Sequence, residues 1–137
     1  MMKPHIAGIT LGVRDVATAK AFYAEGLGWP IAFEQGEWVS FNLNDGAVTV
    51  GLLSWDALAG DAGVAPDGNG FRGMTFSYLV GSQERVDELL AEAERAGGSI
   101  AKPAQEEQWG GYGGLFADPD GHLWKVVVGN PGQPLSE

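Results

Sequence analysis

The chain contains no cysteine. That absence excludes disulfides, thiolate metal sites and cysteine nucleophiles. Histidine is nearly as scarce, with only His5 and His122 present. Basic residues are few: 8 Lys and Arg stand against 18 Asp and Glu, for a formal net charge of −10. A surface of that sign repels phosphate backbones, so no nucleic-acid partner is expected. Its bland consequence is solubility. No apolar run approaches the roughly 20 residues of a membrane span, so no membrane is expected. The opening MMKPHIAG has one lysine and no apolar stretch, and does not read as a signal peptide. The lack of cysteine fits the cytoplasm, which is the expected location.

Glycine, by contrast, is abundant at 22 residues among 137. A chain of this length makes one domain, or two small modules, and buries roughly two-thirds of its unfolded surface. The most ordered stretch is near the C-terminus, WGGYGGLFADPDGHLWKVVV over 109–128. Asp118-Pro119-Asp120-Gly121 marks a turn, because proline presets φ and glycine accepts a positive φ. The flanking apolar runs predict an antiparallel hairpin of Gly113–Ala117 and Leu123–Val128. In its second arm Trp124, Val126 and Val128 point one way. Leu123, Lys125 and Val127 point the other, which places a lysine between two apolar neighbours.

Taken in order, residues 6–13 alternate, with Ile9, Leu11 and Val13 opposite Gly8, Thr10 and Gly12. Asp15 suits a helix N-cap, and Val16, Ala19, Phe22 and Tyr23 follow at helical spacing up to Gly26 and Gly28. Strands are expected at 37–43 and 47–55, joined by Asn44-Asp45-Gly46, with a short strand at 31–34. Residues 56–72 are rich in Gly, Ala and Asp and read as a linker with at most a helical turn at 56–60. The pattern then restarts. A strand over 73–80 shows only Gly73, Thr75 and Ser77 on one face, a helix follows Ser82, Gly97-Gly98 ends it, and a strand is expected at 99–103. The chain is therefore an internal repeat of β-α-β-β-β units, with a polar tail from 129. The small-residue face of each first strand either leaves room for a ligand in a curved sheet or lets the two modules pack closely.

These residues resemble the vicinal oxygen chelate superfamily, which includes glyoxalase I, bleomycin and fosfomycin resistance proteins and extradiol dioxygenases. The resemblance is carried by Val13-Arg14-Asp15, Phe22-Tyr23, Leu27-Gly28 and Phe116-Ala117-Asp118-Pro119-Asp120-Gly121-His122. It implies an α+β fold of two tandem βαβββ modules, at about 6–55 and 73–128, with sheets curled around a shared cavity. It also implies a homodimer. Enzymes of this superfamily hold a divalent metal through His, Glu or Gln. Carried over by position, those ligands fall here at Gly8, Gly73 and Lys125, with a fourth near Gly51. Glycine has no donor atom and an ammonium has no lone pair for a cation. No metal and no other cofactor is therefore expected at the family position.

The candidate ligand-binding residues are Trp38, Trp109, Tyr112 and Lys125. Lys125 serves either as an anchor for an anionic ligand or as a catalytic base. A salt bridge to a carboxylate, or a stem snorkelling to solvent, accounts for it equally well. Trp38 shares a strand face with Ser40 and Asn42. Trp109 and Tyr112 lie in a glycine-rich run, where aromatic walls suit a flat or apolar ligand, as rim packing or a dimer contact would. Glu107 sits nearby in a loop of unreadable direction. Asp87, Glu88, Glu92 and Glu94 read as a solvated helix face, and His122 as a turn residue. The resulting expectation is a metal-free protein binding a small organic molecule. The alternative is a lyase, isomerase or dioxygenase-type enzyme of the same superfamily, metal-free or with a relocated metal.

Overall fold

A strand offers two faces, and in this protein a helix claims one face of each sheet. The computed structural model describes residues 2–4, 6–68, 70–72, 74–107 and 110–128. Gly73, Trp109, His5 and the tail from 129 lie outside the described residues. The chain divides into two compact units, Met1–Gly68 and Asn69–Glu137.

The first unit is a four-stranded sheet in the order β1-β4-β3-β2. Its strands are β1 (Gly8–Val13), β2 (Phe33–Gln35), β3 (Trp38–Leu43) and β4 (Val48–Ser54). β1 runs parallel to β4, and the other pairs are antiparallel. After β1, the Asp15 carboxylate accepts from the Ala17 N–H at 3.0 Å and starts α1 (Val16–Lys20). The helix widens into a π-helical stretch, Ala21–Gly26, in which the Leu27 N–H donates to the Phe22 carbonyl five residues back. Phe22 and Tyr23 are thereby both turned inward, to 1% and 0% exposure. Tyr23 meets Phe41 and Trp29 with ring centroids 6.2 and 5.0 Å apart. Leu11, Val39, Val50 and Leu52 complete this face.

The segment expected as a linker begins with a full helix, α2 (Trp55–Ala62), closed by Gly63 at φ 74°. Its alanines favour a helix, and the Trp55 indole donates to the Pro66 carbonyl at 2.7 Å, securing the segment beyond it. Arg14 stacks over the Trp55 ring at 4.4 Å and donates to the Gly68 carbonyl.

The second unit repeats the plan in the order β5-β8-β7-β6. It comprises β5 (Phe76–Leu79), α3 (Gln83–Arg95), β6 (Ser99–Glu106), β7 (Tyr112–Ala117) and β8 (Leu123–Val128). The Ser82 hydroxyl caps α3 by accepting from the Arg85 N–H at 3.1 Å. Val86, Leu90 and Ala93 form its buried stripe against Phe116, Trp124 and Val126. β6 outruns its expected end at Pro103. It is an edge strand with register shifts between Ile100 and Lys102 and between Lys102 and Gln105, which accommodate a residue lacking an N–H. The β7–β8 turn is held by buried Asp118, whose carboxylate accepts from the N–H groups of Asp120 and His122, each at 2.9 Å.

Two glycines show what the packing requires. A Cβ on Gly114 would fall 2.7 Å from Leu90 Cδ1 and 2.9 Å from backbone atoms of Lys102 and Ala104, whereas one on Gly60 of α2 meets nothing. Gly114→Ala is expected to destabilise by about 1–3 kcal/mol. Gly60→Ala is expected to stabilise by about 0.5–1 kcal/mol. Urea unfolding of both variants checks the pair, and equal shifts would contradict this packing.

Candidate functional site

The open face of the first sheet carries the small residues. Register puts Thr10 opposite Gly51 and Gly51 opposite Ser40, all on the side away from Leu11 and Val39. The space above these glycines is filled from within the unit. A Cβ on Gly51 would land inside the Trp38 indole. One on Gly12 would fall 3.3 Å from the Trp55 ring and 3.4 Å from Leu58. Trp38 is half-buried and lies across the sheet, and α2 covers one end. Ser40 is buried beside the indole at 6% exposure, and Gly8 is exposed.

In the second unit, Lys125 lies on the side of β8 away from α3, because its neighbours Trp124 and Val126 are buried on the helix side. Its ammonium stands 3.0 Å from the Glu107 carboxylate, with the two side chains 28% and 12% exposed. Glu107 follows β6 directly, and its backbone is fixed at both ends of a tight loop. Its N–H donates to the Gly111 carbonyl at 2.7 Å, and its carbonyl accepts from the Gly110 N–H at 3.0 Å. Gly110 supplies the φ of 104° that closes this loop. The partner of Lys125 is therefore a residue whose loop gave no direction in the sequence.

Tyr112 is not brought to Lys125. It opens β7 on the same side as Gly114 and Phe116, and its hydroxyl donates to Asp87 of α3 at 2.8 Å. Asp87 is thus a hydrogen-bond partner and not only a solvated carboxylate. Ser77 and Leu115, in contrast, sit in register on either side of Lys125, on its face.

The whole chain then compares as follows. The sequence model of the Glyoxalase/Bleomycin resistance protein/Dioxygenase superfamily matches residues 4–126. The chain belongs to this superfamily. It is 32% identical to a glyoxalase-related enzyme from Fulvimarina pelagi, over 96% of this chain and 92% of that one, with a TM-score of 0.86. A hypothetical protein from S. aureus is 25% identical over 94% of this chain and 96% of its own, with a TM-score of 0.79. A family enzyme from Burkholderia phytofirmans PsJN, at 19% identity over 89% and 96%, shares the fold with a TM-score of 0.76. No curated protein matches the chain.

The metal implied by the superfamily does not fit the residues present. Lys125, where the resemblance implies a ligand after the Asp-Pro-Asp-Gly turn, carries an ammonium 3.0 Å from the Glu107 carboxylate. Gly8 brings no side chain, and Gly51 lies under an indole. Among the described residues, no three His, Asp or Glu side chains converge on a point that would hold an ion. Among the same residues, no helix is long and apolar enough to cross a membrane.

The Tyr112–Asp87 bond has a pH signature. The hydrogen bond to Asp87, then burial, then the Asp87 charge hold the Tyr112 phenol above its ordinary value of 10.0. A raised folded-state value adds stability below the unfolded value, and that contribution fades as pH climbs through the folded one. Asp87→Ala should lower the Tyr112 titration, followed by ultraviolet absorbance, toward its ordinary value. It should also destabilise the protein at neutral pH, by an amount that shrinks in strong alkali. An unmoved titration would contradict the bond.

Proposed function

We propose that this superfamily member binds a small organic molecule without a metal. The binding surface is the open face of the second sheet, and Lys125 donates the polar contact. The observation that carries this reading is the Lys125–Glu107 pair, at the place to which the resemblance carries a metal-ligating carboxylate. An ammonium in that place offers N–H donors to a ligand oxygen, which is the polarising contact a metal would make, with less charge and no coordination geometry. Glu107 holds the lysine stem in one orientation, so part of its ordering entropy is met before a ligand arrives.

The similarity to a protein described as a glyoxalase-related enzyme supports a second reading, turnover on the same face as a metal-free lyase or isomerase. There Lys125 polarises a substrate oxygen. A nitrogen engaged by a carboxylate at 3.0 Å is placed to donate.

The test is a small-molecule fragment screen by ligand-observed NMR on chelator-treated protein, repeated on Lys125→Met. Because that variant strands Glu107, the double variant Lys125→Met/Glu107→Gln serves as the folded control. Fragments should bind the stripped wild type and weaken about tenfold or more in both variants. Binding that appears only after divalent metal is restored would overturn the reading.

A further inference from the structure

We propose that the ligand of the second sheet's open face is a small carboxylate bearing a second, uncharged oxygen, with Lys102 taking the carboxylate and Lys125 the neutral oxygen. This deepens the metal-free reading above and rests on it. Lys102, Leu115, Lys125 and Ser77 stand in one register row that crosses all four strands, β6 to β5. Strands are spaced about 4.8 Å apart, so the two lysine Cα atoms lie about 10 Å apart and their long stems can converge above Leu115.

The two ammonium groups differ in their surroundings. The charge of Lys125 is already balanced by Glu107. It offers donor hydrogens but little net attraction for a second anion, which Glu107 would also repel. Lys102 is exposed, and among the described residues no carboxylate stands within ion-pairing distance of it. Its strand neighbours leave an anion unopposed there. Gln105, opposite Gly113, shares the face and is uncharged, whereas Glu106, opposite Tyr112, belongs to the α3 side. Ser77 is exposed at the far end of the row and adds a hydroxyl beside Lys125. Half-buried Leu115 supplies an apolar floor between the two lysines. The row thus reads as one free cation, a short apolar gap and a neutral-oxygen contact. Two of the 8 basic residues of a chain with net charge −10 stand in it.

A lysine on an edge strand also serves to block sheet extension, a role that needs no ligand. The experiment separates the two. Levulinate, pentanoate and methyl levulinate are titrated against wild type, Lys102→Met and Lys125→Met/Glu107→Gln, by ligand-observed NMR. Levulinate should bind about tenfold more tightly than either single-feature probe. Lys102→Met should reduce levulinate to the level of its ester, and the double variant should reduce it to the level of pentanoate. Thermal midpoints should stay near that of wild type. Equal binding of the three probes, levulinate binding unmoved by Lys102→Met, or no levulinate binding at all overturns this inference. The metal-free reading falls with it only if the stripped protein also binds no other fragment.

Discussion

Side chains on a strand alternate between two faces, and each sheet of this protein gives one of them to a helix. Most of the functional argument follows from that constraint. In β8, Trp124 and Val126 are needed under α3, so Lys125 must emerge on the other side, where Glu107 meets it. In β7, the pairing of Gly113 with Val127 turns Tyr112 toward the helix, where Asp87 receives its hydroxyl. A shift of one residue would exchange these assignments and bury a lysine under the helix. Such a shift is resisted by the buried Asp118 carboxylate, which binds two N–H groups of the β7–β8 turn and so locks the register.

The same constraint shapes the first sheet differently. Its open face is made of small residues, and the room they leave is taken by indoles of the same unit. Trp38 lies over Gly51, and Trp55 with Leu58 lies over Gly12. A glycine stripe is therefore not by itself a cavity, since the space above it depends on what neighbouring elements place there. On the second sheet the row of Lys125 and Leu115 ends in exposed Ser77 and Lys102, whereas the next row on the same face, Leu79, Val127 and Gly113, is buried.

Much of this was legible from local chemistry. The caps at Asp15 and Ser82, the turn at Asp118 to Gly121 and the strand faces of Trp38 and Lys125 all follow from periodicity and turn residues. What escaped reading depended on distance or on broken periodicity. The Trp55 helix hid in a glycine-rich segment because its anchor is an indole bond to Pro66, eleven residues on. Lys102 has no legible face in the sequence because bulges on both sides of it break the count of two, and only the pairing with Leu115 places it. Tyr112 is the first residue of β7, and the glycines on both sides of it leave no alternation by which to assign its face. Glu107 could be named but not aimed, since a loop held by Gly110 and Gly111 has no period.

The central claim is that an ammonium stands where relatives of this fold are implied to hold a cation. The most direct measurement is the metal content of untagged protein after incubation with zinc, manganese, nickel and ferrous iron and removal of the excess, with Lys125→Glu in parallel. The account predicts far less than one metal per wild-type chain. Near one metal per wild-type chain, with the Lys125–Glu107 pair intact, would contradict it.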